Sequence, residues 1–205
     1  MGGLPLGKAR GRMLPFTEAQ IAAIRANLSR PDRPPRDLAI FECWLHTLLR
    51  VSDFRELMVA DVLGQHGIRD RIVMRQRKVS TAKRCQPVEV GLPPKAREAL
   101  AAMIEVEGKR PNDFLFTARN RHREPLCRKQ LSNLVKAWAR EIGMDTHRIA
   151  AHSMRRTRPT IAIRRGTASL VNVQHWLGHK QYSTSVGYIG IEHEDSMKAS
   201  EDNAL

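Results

Sequence analysis

Several things are scarce in this chain of 205 residues, and each scarcity excludes something. There are 3 cysteines, Cys43, Cys85 and Cys127, scattered and odd in number. That argues against a disulfide scaffold and fits a reducing compartment; without a CxxC pair, a cysteine zinc site is not expected either. Aromatic residues make up 5% of the chain and include 2 tyrosines, Tyr182 and Tyr188, so any role that needs a phenol has two candidates. No apolar run is long enough to cross a bilayer. The most apolar stretch, residues 39–49, carries Glu42 and His46 and is about half the required length. The first residues, MGGLPLGKARGRML, lack the apolar core of a signal peptide. Gly 13 and Pro 11 are ordinary levels, which excludes collagen-like and linker-type chains. Hydrophobic residues at 41% suffice for one core, and the length suits one domain with a small extension.

Acidic residues are outnumbered. Lys+Arg 35 against Asp+Glu 21 gives a net charge of +14, which points to a polyanionic partner, nucleic acid first. The positive charge is clustered in RDRIVMRQRKVSTAKR (69–84), RNRHREPLCRK (119–129) and RRTRPTIAIRR (155–165). After residue 190 the sign reverses in IEHEDSMKASEDNAL. Such a tail masks a basic face, docks on another subunit, or simply stays solvated.

The organisation reads as α+β, mainly helical, with one small antiparallel sheet. Residues 1–15 form a flexible basic arm. Thr17-Glu18-Ala19-Gln20 is a capping box, with Ile21, Ile24 and Leu28 following at helical spacing. A second helix is expected over 37–49, with Ile40, Trp44, Leu45 and Leu48 on one face. Ser52 then looks like a new N-cap. Residues 72–76 and 87–92 alternate as two strands of a hairpin whose turn is strongly basic. Helices follow at 95–106, 128–142 (ended by Gly143), 153–165 (with Gly166 beyond) and 168–177.

Four groups of residues carry potential chemistry, and each is weak alone. In His152-Ser153-Met154-Arg155, Ser153 caps a helix start that holds an arginine and a histidine, a natural phosphate seat. In Trp176-Leu177-Gly178-His179, Gly178 permits a turn with positive φ. His175 and His179 are four apart, but no carboxylate or cysteine is spaced to complete a metal site. His179 therefore reads as a phosphate hydrogen-bond donor or as a packed core histidine. Tyr188 stands nine residues after His179; it is either packing or a nucleophile toward phosphorus. In Leu49-Arg50-Val51-Ser52-Asp53, Arg50 lies just before a helix and can join Arg155 on one phosphate.

Taken together, LRVSD, QRK in a hairpin, HSMR, LGH and a tyrosine nine residues on resemble the tyrosine recombinase (phage integrase) family over residues 16–192. The resemblance implies the tyrosine-recombinase catalytic fold. It makes Arg50 and Arg155 the phosphate-clamping arginines, His152 the histidine assisting proton transfer, His179 a second phosphate donor and Tyr188 the nucleophile. Lys78 matches the hairpin lysine, with Lys83 as the fallback. The chain departs from the family pattern in four places. Leu48 stands where Gly often precedes the LR pair, Val79 where Thr often follows the lysine, and Arg156 where His is common. Pro159 falls inside the helix after HxxR.

The implied reaction is strand exchange on double-stranded DNA through a 3′-phosphotyrosyl intermediate, with no metal, ATP or other cofactor. The implied assembly is a homotetramer on two duplexes, with the acidic tail 193–205 packing on a neighbour and a DNA-bending accessory protein as a possible helper. An N-terminal clamping domain is usual in the family. Here only the arm precedes the first helix, so a minimal recombinase or a partner-supplied clamp is expected. The location expected is cytoplasmic and nucleoid-associated. A non-catalytic DNA-binding regulator on the same fold, and a relaxing enzyme using the same nucleophile, are the competing readings.

Overall fold

The computed structural model describes residues 13–74, 88–118 and 121–178. Its first helix, α1 (Glu18–Leu28), starts where the capping box requires: Thr17 Oγ1 accepts from Gln20 N–H, and Gln20 returns a bond to Thr17 N–H at 2.8 Å. The second helix, α2 (Pro35–Thr47), is the centre of the molecule. It begins two residues earlier than expected because Pro35 occupies the first helical position, where its missing N–H costs nothing. Ten of its residues are buried, Glu42 among them, so it is packed all round rather than along one stripe.

Two short helices follow, α3 (Val51–Phe54) and α4 (Val59–Val62). Arg50, not Ser52, is the N-cap residue of α3, and Ser52 lies inside it. Among the described residues there are three two-stranded antiparallel sheets where one is expected. Strands β1 (Leu63–Gly64) and β2 (Gly67–Ile68) pair through a two-residue turn. The anticipated hairpin is present as β3 (Arg71–Met74) with β4 (Val88–Gly91), in the register Arg71 opposite Gly91 and Met74 opposite Val88. Its basic turn, with Lys78 and Lys83, lies outside the described residues. The third pair is β5 (Thr117–Ala118) with β6 (Arg121–Pro125).

The remaining helices are α5 (Pro94–Val106), α6 (Arg128–Glu141), α7 (Ala151–Arg164) and α8 (Leu170–Leu177). Helix α7 begins two residues before Ser153. That serine is the third helical residue, and its Oγ accepts from Ala150 N–H at 3.2 Å, so it reaches back to the start of the helix instead of standing at it. Helix α8 starts later than expected because Ser169 is its N-cap, accepting from Asn172 N–H at 3.2 Å.

One large core joins α1, α2, α5, α6 and the start of α7. Trp44 stacks on Phe54 at 4.6 Å, and Phe54 on Phe116 at 5.0 Å. Phe41 meets Trp138 edge-on at 5.8 Å. A second, much smaller cluster consists of Leu48, Val173 and Leu177, flanked by Ile163 and Trp176. Among the described residues no helix is long and apolar enough to cross a membrane.

Candidate functional site

The site is built around the segment 48–50, which leaves α2 and enters α3. Helix α2 ends because Leu48 turns into the left-handed region, φ 54°, the only non-glycine among the described residues to do so. The turn presents two consecutive carbonyls inward, and each receives a side-chain donor. Trp44 Nε1 donates to Leu49 O at 3.0 Å, and Arg155 Nη1 donates to Leu48 O. Arg50 follows in extended conformation, and its own carbonyl accepts from Asp53 and Phe54 N–H at 2.8 Å each. Phe54 in turn lies flat on Trp44. Arg50 therefore leaves a backbone fixed on both sides, which is the preorganisation a phosphate clamp requires.

Arg155 is the hinge-pin of the arrangement. Its side chain is 3% exposed. Besides Leu48 O it donates, through Nη2, to Leu177 O at 2.6 Å. Leu177 is the last residue of α8, and Gly178 beyond it takes φ 59°, the positive-φ turn that the glycine suggested. One planar guanidinium thus ties the end of α2 to the end of α8, a two-pronged bridge that the fixed fork of an arginine supports and a lysine cannot. His152 is exposed in the first turn of the same helix, three residues before Arg155 and so on the same face.

Of the six site residues expected from the sequence, Arg50, His152 and Arg155 are described, and the Arg155 bond to Leu48 O brings their two segments together. Lys78, His179 and Tyr188 lie outside the described residues, as do Lys83 and Tyr182. Asp53, the last residue of LRVSD, is 3% exposed, with Ser52 Oγ 3.5 Å from its Oδ1.

The basic cluster 155–165 requires a correction. Arg155 and Arg156 are buried, and Arg158 is partly buried with Nη1 donating to His46 O at 2.9 Å. Arg165 is exposed but pairs with Glu18, its Nε donating to Oε1 at 2.7 Å. Arg158 and Arg165 of this cluster are thus held by partners within the fold. Pro159 does lie inside α7, buried, in the third turn. Lacking an N–H, it cannot bond the Arg155 carbonyl four residues back. Thr157 and Thr160 Oγ1 donate to Ser153 O at 2.7 Å and Arg156 O at 2.8 Å, adding bonds beside that gap.

Sequence reasoning missed Trp44 as the donor that shapes the loop, and Arg158 as a link between α7 and its neighbours. Both act on backbone carbonyls, which carry no residue-type signal.

A mainly helical body with small antiparallel sheets, in which a buried arginine of the HxxR segment ties the LR turn to the LG turn, is the tyrosine-recombinase catalytic fold. The sequence model of the Phage integrase family matches residues 15–194, and the chain belongs to that family. It is 31% identical to the tyrosine recombinase XerD of Xanthomonas axonopodis pv. citri (strain 306), over 92% of this chain and 63% of that one. In structure it resembles the XerA recombinase, with a TM-score of 0.72 at 19% identity over 95% of this chain and 65% of the other. It also resembles the Tn1549 transposon integrase solved in complex with transposon right-end DNA. There the TM-score is 0.68 at 18% identity, over 96% of this chain and 68% of the other. The chain thus spans just under two thirds of the length of XerD and of XerA.

Proposed function

We propose that this chain cuts and rejoins double-stranded DNA at a specific site. The catalytic domain assigned is 16–192, flanked by the basic arm 1–15 and the acidic tail 193–205. The observation that carries the reading is the Arg155 bridge: it gathers the LR, HxxR and LG segments, on which the family's phosphate-binding groups sit, at one place. The solved DNA complex of the Tn1549 integrase supports DNA as the partner.

In the proposed reaction the phenol oxygen of Tyr188 attacks a backbone phosphorus and displaces the 5′-oxygen, leaving a 3′-phosphotyrosyl link. Arg50, Arg155 and His179 stabilise the charge that grows on the phosphoryl oxygens. Lys78, or Lys83 in its place, gives a proton to the departing 5′-oxygen, and His152 manages the proton of the tyrosine. A new 5′-hydroxyl then attacks phosphorus and frees the phenol, so no external energy source enters. Four subunits on two duplexes complete the exchange in this reading.

The test is covalent trapping on a nicked duplex whose 5′-end diffuses away after cleavage. Tyr188→Phe removes one oxygen and no charge, so the folded protein still binds DNA but forms no adduct. Tyr182→Phe retains the adduct. Both variants trapping DNA, or the reverse pattern, overturns the assignment of Tyr188.

A further inference from the structure

Helix α8 is weakly anchored for an element that leads into the site. It has 8 residues, too few to be stable alone, and only Val173 and Leu177 of its side chains are fully buried. These two meet Leu48 in the small satellite cluster, apart from the main core. Its attachment therefore depends on a few polar links, and one of them is not part of the phosphate-binding set.

That link is Arg158. Its Cζ lies 5.4 Å from the centroid of the Trp176 ring, within range of a cation–π contact. Its Nη1 donates to His46 O, one of the last carbonyls of α2, at 2.9 Å. A cation at a helix C-terminus also meets the negative end of the helix dipole. Burial pushes the Arg158 pKa below the usual arginine value, the mark of partial desolvation, while the group stays charged at neutral pH. A cation–π contact strengthens when water is excluded from it.

Arg158 thus joins the same two partners that Arg155 joins, the end of α2 and the end of α8. It stands three residues, or one helical turn, further along α7. Arg155 bonds two carbonyls at the site itself; Arg158 bonds one carbonyl and one ring a turn behind. Two crosslinks one turn apart restrain the direction of α8 more than either does alone.

We propose that Arg158, through Trp176, is a positioning residue that sets the orientation of α8 and thereby how its end, Leu177–Gly178, meets Arg155. Its bearing on catalysis rests on the recombinase reading above; its bearing on α8 does not.

The test uses the full chain and three measurements on Arg158→Met, Arg158→Lys, Trp176→Leu and the double variant Arg158→Met/Trp176→Leu. The first is amide hydrogen exchange, which needs no DNA. Arg158→Met speeds exchange at residues 171–178 about tenfold, with the buried segments of α2 and α5 unchanged. Arg158→Lys keeps the cation and recovers at least half of that protection. The double variant speeds exchange by less than the product of the two single effects, because the two residues act in part through each other.

The second measurement is acrylamide quenching of tryptophan fluorescence. Trp44 and Trp138 are buried, so the accessible fraction reports Trp176, and it rises in Arg158→Met. The third is the single-turnover rate of adduct formation on a nicked duplex that the wild-type protein cleaves. The rate constant falls about tenfold, while the amplitude and the DNA dissociation constant hold. A residue that only stabilises the fold would lower the amplitude and leave the rate constant of the folded fraction alone.

Unchanged exchange at 171–178, exchange raised evenly along the chain, a lysine variant as loose as the methionine one, or multiplied effects in the double variant would each overturn the proposal. Absence of any adduct with the wild-type protein instead refutes the recombinase reading, and exchange and quenching still decide the role of Arg158.

Discussion

Leu48 supplies the sharpest test of the local geometry. It combines two properties that substitutions can separate: a side chain 2% exposed against Val173 and Leu177, and a backbone at φ 54°. Truncating a buried leucine to alanine costs about 2–5 kcal/mol. The satellite cluster is small and can partly close over the gap, which favours the lower part of that range, about 3 kcal/mol. Alanine keeps the left-handed penalty that any residue with a Cβ carries, on the order of 1 kcal/mol. Glycine loses the same side chain but also escapes that penalty, so Leu48→Gly should cost only about 2 kcal/mol. The usual order in ordered segments is the reverse, with glycine worse than alanine by roughly 0.5–1 kcal/mol. In urea unfolding with a slope near 2 kcal/mol/M, the glycine variant should unfold at about 0.5 M more denaturant than the alanine variant. If it unfolds at the same or lower urea, Leu48 does not hold the left-handed turn, and the account of how its carbonyl reaches Arg155 falls with it.

Three further outcomes follow from the charges. Affinity for duplex DNA should drop at least about tenfold between low and physiological salt, carried by the clusters 69–84 and 119–129; a flat salt response refutes phosphate contact by these segments. Lys78→Ala should slow cleavage with binding nearly intact, and a 5′-thio leaving group, which needs no proton, should restore the rate; failure of that rescue moves the role to Lys83. Glu42, 1% exposed, holds its carboxylate against Arg25, with Arg25 Nη2 donating to Oε2 at 3.2 Å, and lies 3.5 Å from His46 Nε2. Burial alone would raise its pKa, but the bonds from His46 and Arg25 outweigh it and hold the carboxyl below the usual range. Its stabilising effect is therefore present above about pH 4.3 and disappears as pH falls through the lower folded value. Glu42→Gln should be less stable at neutral pH yet lose less stability between about pH 5 and 3. Parallel urea-midpoint profiles for the two proteins over that range would show that Glu42 is not the group responsible.

Much of the helical frame is legible in the sequence because its signals are local. Thr17 and Gln20 mark the start of α1, Pro93-Pro94 the start of α5, and Gly143 the turn after α6. The hairpin β3–β4 follows from alternation on either side of a basic stretch. The sheets of two-residue strands are not legible, since pairing as short as Leu63 with Ile68 is set by what packs behind it and not by pattern. Helix α2 is misplaced by two residues at each end for opposite reasons: Pro35 reads as a breaker but starts the helix, and Leu48 reads as helical but takes a conformation that leucine rarely adopts. The motif order exposes the arginines and histidines of the candidate site, but not what Arg155 bonds. Its described partners are main-chain oxygens of Leu48 and Leu177, and a sequence does not name its carbonyls.

That bonding ties the assembly of the site to the folding of the chain. Leu48 is 107 residues before Arg155 and Leu177 is 22 after it. The contacts that close those two loops are made by an arginine that the proposed chemistry also needs. Burying this guanidinium is costly, and its bonds to both turns offset that cost. A chain with α8 undocked loses the Arg155 bond to Leu177 O and the contacts of Leu48 with Val173 and Leu177. A buried arginine at the junction of two distant segments couples the docking of α8 to the turn after α2, and in the proposed reaction the same arginine meets the phosphate. Arg158, one turn along α7, strengthens that junction from behind.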